Sequence, residues 1–225
     1  MDFTLSEEQE MLRRSARDFL TNKCPKSLVR QMADDEKGYS PALWKEMAGL
    51  GWMGLAIPCL YGGFGMEFID LAILLEEMGR ACLPGPFFAT VVLGALTILE
   101  NGSDKQKSSY LPGIAAGKIM MTMAVDEADG LYQAGSIATT AFAERDDYII
   151  NGTKLFVPDA QVADYILCVA RTSNEKDEKK GITVFIVPAK VSGIKYKLLR
   201  TIAGDKLCEV TFENVIVAKD SVLGG

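Results

Sequence analysis

A change of hydrophobic period close to Gly117 divides this chain into two parts that must fold differently. Before it, apolar residues such as Leu12 and Ala16 recur at helical spacing. After it, short runs of β-forming residues alternate with turn residues at intervals of about ten positions. Helices followed by strands, without alternation, are typical of α+β proteins. We therefore predict an all-α domain over residues 1–116 and an antiparallel β-barrel or sandwich domain over residues 117–225.

Local signals support the helical half. Ser6 is followed three residues later by Gln9, and Ser103 by Gln106, which is the spacing of a capping box at a helix start. Ser40-Pro41 places a proline in the first turn of a further helix, where its missing N–H removes no hydrogen bond. The first half should therefore be a set of helices with defined starts.

The most informative strip of the β half runs from Asp147 to Thr172. It holds two β-forming runs separated by Asn151-Gly152, followed by a third run. Asn-Gly is the strongest short hairpin signal, because both residues tolerate the positive φ of a type I′ turn. We predict that Asn151-Gly152 forms the turn of a β-hairpin.

The composition excludes several classes of function. The net charge is −6 over 225 residues and there is no basic run, so the chain should repel nucleic acid. No apolar stretch is long enough to span a membrane, and the acidic start does not resemble a signal peptide. The five cysteines are scattered without paired spacing. They predict reduced, mostly buried thiols in a cytoplasmic protein.

The chain contains no histidine. It therefore has no Ser-His or Cys-His nucleophile pair and no His-ligated metal, and we predict no metal site. Any chemistry must depend on a carboxylate or on a cofactor.

The motifs of the chain resemble those of the acyl-CoA dehydrogenase family. The β strip is similar to the family's middle-domain sequence at Tyr148, Asn151, Gly152, Lys154, Ala163 and Asp164. The segment from Gly102 to Gly117 resembles the family's G-[ST]-xxQKxxYLP signature. The Gly62-Gly63 loop after Pro58 also matches. The resemblance covers essentially the whole chain.

This resemblance implies a function. Family members are FAD-dependent enzymes that dehydrogenate an acyl-CoA thioester between its α and β carbons. A carboxylate removes the α-proton, a hydride leaves the β-carbon for the flavin, and electrons then pass to an electron-transferring flavoprotein. Members assemble as homo- or hetero-oligomers. A flavin-dependent oxidase or N-hydroxylase on the same scaffold stays open as another interpretation.

The resemblance also implies which residues face the flavin and the substrate. The cofactor side would be formed by the end of one strand and by part of the β strip: Met123, Val125, Asp126, Phe156, Val157 and Pro158. Tyr132 stands where the family places a serine beside the acyl-CoA.

Three of these positions differ from the family pattern and support a second interpretation. Asp126 and Pro158 replace threonines that would donate hydrogen bonds to the flavin, and Tyr132 replaces the serine. An ionised carboxylate only accepts, and proline has no N–H. The alternative is a non-catalytic structural subunit of a mixed acyl-CoA dehydrogenase complex. The segment Pro84–Val91 resembles the branch acting on bulky or dicarboxylic acyl-CoAs, which often builds such complexes.

No catalytic residue can be assigned within residues 1–225. The resemblance places the catalytic carboxylate in a C-terminal helical bundle, which these residues do not include, and predicts that the chain alone is inactive. Glu76, Glu77 and Glu127 are the conspicuous carboxylates here, and we predict that each lies on a solvated helix face or turn.

Overall fold

The computed structural model describes residues 4–130, 133–173 and 180–225. The first part is helical and the second is a curled sheet, as the change of period predicts. The α-helices are α1 (Glu7–Lys23), α2 (Lys26–Asp34), α3 (Pro41–Gly49), α4 (Phe68–Ala81), α5 (Thr97–Asn101) and α6 (Asp104–Ala115). A π-helix, Phe88–Leu96, precedes α5. Short 3₁₀ turns occupy Trp52–Gly54, Cys59–Tyr61, Ala134–Ser136 and Lys219–Ser221.

The helix starts follow the capping signals. Ser6 and Ser103 each accept a backbone N–H from the residue three positions later, and the Gln side chain there accepts the N–H of the cap in return. Ser40 caps α3 ahead of Pro41. No capping signal predicts α2, which has no side-chain cap and begins after Pro25.

The second part folds into a sheet of seven strands within the described residues. They are β1 (Met121–Ala124), β2 (Thr140–Glu144), β3 (Asp147–Pro158), β4 (Tyr165–Arg171), β5 (Ile182–Pro188), β6 (Ile194–Leu199) and β7 (Leu207–Ala218). Their order is β1-β4-β2-β3-β7-β6, and β5 pairs with β4. The α+β prediction is therefore confirmed.

The expectation of a wholly antiparallel sheet was wrong in one respect. β4 runs parallel to both β1 and β2, whereas the other pairings are antiparallel. The β2–β3 excursion separates β1 from β4 in the chain, so β4 can return beside β1 in the same direction. The sheet is mixed.

The hairpin prediction for Asn151-Gly152 was also wrong. β3 runs straight through this pair, and the hairpin turn lies earlier, between Glu144 and Asp147. The pairing of β3 with β7 shifts its register between Ile150 and Gly152, so the Asn-Gly signal marks an irregularity inside a long strand. The Asn151 side chain stabilises this irregularity, because its Oδ1 accepts a hydrogen bond from the backbone N–H of Asn214 at 2.8 Å.

The two parts share a buried interface. An apolar cluster joins the π-helix and α6 to β1, β4 and β5, through residues such as Ala95, Ile114, Met121, Leu167 and Ile186. The buried Thr90 hydroxyl bonds to both the N–H and the carbonyl of Met121, at 3.1 and 3.3 Å. The π-helix thus covers β1 at the edge of the sheet.

Candidate functional site

The end of β1 lies against the end of β3, and this junction brings together most of the predicted cofactor-side residues. The Thr122 hydroxyl donates to the Pro158 carbonyl at 2.5 Å, and the Leu155 N–H donates to the Asp126 carbonyl at 2.8 Å. We call Met123, Val125, Asp126, Phe156 and Pro158 the β1–β3 wall. Val125 is 38% exposed and Phe156 is 52% exposed, so apolar side chains of the wall face outward.

The structure separates Val157 from the rest of the predicted set. Its side chain is buried in the core of the β-domain, among residues such as Ile150, Val210 and Phe212. Only its main chain is placed to meet a ligand at the wall. Tyr132, the predicted substrate-side residue, lies outside the described residues.

The backbone is unusual where β3 forms the wall. Phe156 and Asp159 both have positive φ, at 54° and 52°, in the left-handed region that non-glycine residues seldom adopt. The pairing of β3 with β7 is interrupted between Lys154 and Val157. The resulting bulge turns Phe156 outward. Such conformations cost free energy and gather at binding sites.

A buried ion pair supports the wall from behind. The Lys154 ammonium lies 2.6 Å from Glu127 Oε1 and 3.0 Å from the Val125 carbonyl oxygen, and the Lys154 side chain has no solvent exposure. Glu127 also accepts the N–H groups of Ala138 and Thr139, at 2.7 and 3.0 Å. Burial raises the pKa of Glu127, but the hydrogen bonds from Lys154 and from these main-chain groups outweigh it and leave the pKa below its usual value.

Two of the three carboxylates expected on solvated surfaces are buried. Glu127 is 8% exposed, and Glu77 is 1% exposed between the guanidinium groups of Arg17 and Arg80. Glu76 is exposed, as expected. The Lys154–Glu127 pair was not predicted, although strand alternation places Lys154 on the same side as Ile150, which is buried. A lysine at a core-facing position requires a carboxylate partner.

A cleft of about 280 Å³ at the end of β1 is lined by Val125, Asp126 and Glu127. Two further clefts lie on the side of Pro158, and the wall contributes a residue only to the first of them. The first, of about 360 Å³, lies between the two domains and is lined by Pro158 and Asp159, by Cys82–Gly85 and by Lys206. The second, of about 370 Å³, shares Cys82, Leu83 and Gly85 with the first and continues along an apolar surface of the helical domain. Its other lining residues are Leu75, Met78, Gly79, Phe87 and Phe88. An apolar tail could therefore extend from the wall into the helical domain.

Asp159 is the group in the cleft at Pro158 with the most altered acidity. Burial, and after it the nearby Asp205, raises the pKa of its carboxyl to about 7 against the opposing effect of Lys206. A carboxyl that titrates near neutrality in a cleft is typical of ligand sites, although structural groups can do the same.

Comparison with known families decides the identity of this architecture. Residues 6–118 match the model of the acyl-CoA dehydrogenase N-terminal domain, and residues 122–215 match that of the middle domain. The chain belongs to the acyl-CoA dehydrogenase family. The resemblance predicted from the motifs is confirmed.

Relatives within this family are similar over the whole of the chain. A probable acyl-CoA dehydrogenase of Bacillus subtilis, YngJ, is 32% identical, and the match covers 100% of this chain and 60% of the relative. The butyryl-CoA dehydrogenase of Megasphaera elsdenii superposes with a TM-score of 0.87 at 27% identity, covering 100% of this chain and 60% of that chain. The steroid ACAD Tcur3481-Tcur3483 gives a TM-score of 0.87 at 30% identity, covering 100% and 59%. The chain thus spans about 60% of the length of these relatives.

The side chains of the wall offer a planar ligand a stacking surface but few hydrogen-bond donors. The outward Phe156 ring can stack against a planar aromatic system, and the β3 bulge presents it. Pro158 has no N–H to donate, and its carbonyl is already bonded to Thr122. A carboxylate such as that of Asp126 offers only acceptors. The side chains therefore supply a stacking surface without the donors that a reduced flavin needs.

No helix among the described residues is long and apolar enough to cross a membrane.

Proposed function

We propose that this chain forms the N-terminal and middle domains of an FAD-dependent acyl-CoA dehydrogenase, with the catalytic base supplied by a C-terminal bundle. The flavin, when bound, would serve as the two-electron acceptor for α,β-dehydrogenation of an acyl-CoA thioester. The described residues would form one face of the flavin site and part of the acyl site.

One observation carries this proposal: the cleft at the Pro158 end of the β1–β3 wall continues into an apolar cleft of the helical domain. The cleft lined by Leu75, Met78 and Phe88 meets the cleft at Pro158 through the shared Cys82–Gly85 segment. The wall would accommodate the reacting carbons of the substrate, and the apolar cleft of the helical domain would accommodate its acyl tail. Excluding water from such a tail contributes about 0.8 kcal/mol per buried CH₂ group.

The test uses an extended protein, which we define as this chain continued by a C-terminal bundle of the family. We expect it to reduce an artificial electron acceptor with some member of a panel of straight-chain and bulky acyl-CoAs. Phe88→Arg is expected to raise KM for the preferred acyl-CoA, because a charge would enter the apolar cleft. The matched control is Phe142→Arg, since Phe142 is similarly exposed, at 61%, on β2. Equal kinetic effects of the two changes would contradict the assignment of the acyl site.

A second candidate is a non-catalytic subunit of a mixed complex. Asp126 and Pro158 favour it, because both remove a donor from the side of the wall that would meet the flavin. In this case the chain would bind a catalytic sister chain without binding FAD itself. Coexpression with candidate sister chains, followed by measurement of the FAD content per subunit, separates the two candidates: one FAD for every pair of subunits favours the second.

Exposed apolar side chains within residues 60–69 offer a surface for the electron-transferring flavoprotein that the first candidate requires. Leu60, Phe64, Phe68 and Ile69 are exposed by 83, 59, 61 and 47%. Groups of exposed apolar side chains mark interaction surfaces. We expect Phe64→Ser in the extended protein to slow electron transfer to the flavoprotein without slowing the reduction of a small artificial acceptor. An equal effect on both acceptors would contradict this assignment.

A further inference from the structure

Helices α1 and α4 lie side by side in the same direction. Three side-chain contacts join them, and in each the partner in α4 advances with the residue in α1: Gln9 with Asp70, Arg17 with Glu77 and Thr21 with Arg80, at 3.1, 2.6 and 3.4 Å. The separation along the chain falls from 61 to 60 to 59 residues. Cys24 and Cys82 are the next pair in this series, so the register of the helices brings them together.

Both cysteines stand at the C-terminal ends of their helices. Cys24 ends α1 and donates its N–H to the Leu20 carbonyl at 2.9 Å. Cys82 ends α4 in the left-handed region, with φ at 51°, and its N–H bonds back to the last turn of the helix. Main-chain hydrogen bonds therefore hold each cysteine at the end of a helix that is packed against the other.

The two thiols differ in their access to solvent. Cys24 is 5% exposed and belongs to the core of the helical domain, whereas Cys82 is exposed and lines both clefts on the side of Pro158. Burial, and after it the Cys82 thiol, raises the pKa of Cys24. Because the interaction of two charges weakens with distance, this influence indicates that the sulfur atoms are near each other. Both thiols are free.

We propose that Cys24 and Cys82 form a reversible, redox-responsive disulfide that cross-links the C-terminal ends of α1 and α4. The oxidant is a small disulfide such as glutathione disulfide. The exposed Cys82, after losing its proton, attacks one sulfur of the oxidant, and the S–S bond of the oxidant breaks to release one small thiolate. Cys24, after losing its proton, attacks the Cys82 sulfur and displaces the second small thiolate. Two protein thiols are oxidised, and the small disulfide is reduced to two thiols.

The cross-link has two physical consequences. It closes a loop from residue 24 to residue 82, which restricts the unfolded chain and stabilises the folded one. It also replaces a free thiol in the lining of the two clefts, because Cys82 contributes to both. The helical domain would thus respond to the thiol–disulfide balance around it. This inference does not depend on a flavin or on the proposed function.

The first experiment maps the disulfide in the 225-residue chain. The folded protein is incubated with glutathione disulfide, its remaining thiols are alkylated, and it is digested with trypsin without reduction. Cleavage after lysine and arginine places Cys24 in peptide 24–26, Cys82 in peptide 81–105 and Cys59 in peptide 46–80. Mass spectrometry should find peptide 24–26 joined to peptide 81–105, at least tenfold more abundant than any disulfide of Cys59.

Three results of the mapping would overturn the proposal. Glutathione retained on Cys82 without a link to Cys24 would show that the two Cα atoms lie beyond the roughly 7 Å that a disulfide spans. Links between two copies of the chain, or pairing of Cys82 with Cys59 as often as with Cys24, would show that the helices do not select this pair.

The second experiment measures stability by urea unfolding with and without prior oxidation. Oxidation of the wild type should shift the unfolding equilibrium toward the folded state by on the order of tenfold or more. Cys82→Ser should abolish the shift, and this exposed position leaves the core of the helical domain intact. The matched control is Cys59→Ser, which removes another exposed thiol and should keep the shift. A shift that survives Cys82→Ser, or one that is lost in Cys59→Ser, would contradict the assignment of the pair.

Discussion

Arg17 of α1 reaches across to α4 and holds the buried Glu77 carboxylate at 2.6 Å. Its guanidinium bonds both carboxylate oxygens, and Arg80 adds a bond at 2.8 Å. The hydrogen bonds from Arg17 are the main reason that the pKa of Glu77 lies below its usual value, against the opposing effect of burial. We predict that Arg17→Met lowers the free energy of unfolding by about 1–3 kcal/mol at pH 7, because it leaves a buried carboxylate with half its partners.

The free energy of unfolding lost in Arg17→Met should depend on pH, because the pKa of Glu77 is lowered in the folded protein. The ionised Glu77 stabilises the fold above its unfolded-state pKa, and this contribution disappears as the pH falls through the folded-state pKa. Urea unfolding at pH 7 and pH 4 should therefore show a smaller loss at pH 4. The control is Arg13→Met, which breaks a more exposed pair with Glu10 and should cost less than about 1 kcal/mol. Equal losses for Arg13→Met and Arg17→Met would show that the buried pair contributes no more than a surface one.

Gly152 is expected to tolerate no side chain, although Asn-Gly pairs usually mark exposed turns. A Cβ at this position would lie 2.5 Å from Thr139 Oγ1 and 2.7 Å from Thr139 Cα. We predict that Gly152→Ala costs about 1–3 kcal/mol in thermal or urea unfolding, because the neighbour is main chain that cannot move freely. Gly49→Ala is the control, since nothing lies within 4 Å of its Cβ in α3. It should be neutral or stabilising by up to about 1 kcal/mol. A neutral Gly152→Ala would contradict the placement of this pair inside β3.

Much of this fold is predictable from local sequence signals. The predictions that were wrong have a common physical cause. Capping residues such as Ser6 and Ser103 act within one helical turn, so the sequence alone locates these helix starts. Asn151-Gly152 has the same local signal whether it forms a turn or a bulge, and only the pairing with β7 decides between them. Lys195 and Lys197 of β6 face solvent at the sheet edge, where they discourage pairing with another chain.

The candidate site was predictable only in part, for a related reason. Family motifs placed Val125, Asp126, Phe156 and Pro158, which meet where β1 adjoins β3. Glu127 looked like a solvated turn residue, because nothing near it in the sequence indicates burial. Its partner Lys154 is 27 positions away, and only the folded sheet brings the two charges together.

Asp159 is expected to make stability depend on pH near neutrality. Its pKa rises from 3.8 to about 7 on folding, because of burial and then of Asp205. A raised acid pKa leaves stability unaffected below about pH 4 and lowers it progressively as the pH rises toward 7. Asp159→Asn removes this penalty and suits the positive φ at this position.

We predict that Asp159→Asn stabilises the chain by up to about 4 kcal/mol at pH 8 and has little effect at pH 4. Urea unfolding across this range tests the prediction. The control is Asp146→Asn, whose carboxylate is 98% exposed beside Lys219. It should shift stability by less than about 1 kcal/mol at any pH. A gain for Asp159→Asn that does not change with pH would contradict the raised pKa.

Asp126 and Pro158 each stand where a threonine would donate a hydrogen bond to the cofactor. Restoring both threonines should therefore raise the affinity for FAD. In the extended protein, Asp126→Thr with Pro158→Thr should raise FAD occupancy, because each change restores a hydroxyl donor worth about 1–3 kcal/mol at a buried site. A tenfold change in affinity corresponds to about 1.4 kcal/mol. Occupancy is measured by the flavin absorbance of the purified protein. Thr153→Ser with Thr211→Ser, on the exposed side of β3 and β7, is the control. Lower occupancy in the threonine variant would contradict our account of the wall.

The absorption spectrum of the purified 225-residue chain, recorded with an acyl-CoA oxidation assay on the same sample, tests the central claim most directly. Under the proposed function, these residues form one face of a flavin site that a C-terminal bundle completes. The chain should therefore be colourless and should reduce no artificial electron acceptor with any acyl-CoA. The extended protein should be more active under the same conditions. A yellow, stoichiometrically flavinylated 225-residue chain that oxidises an acyl-CoA would contradict the claim.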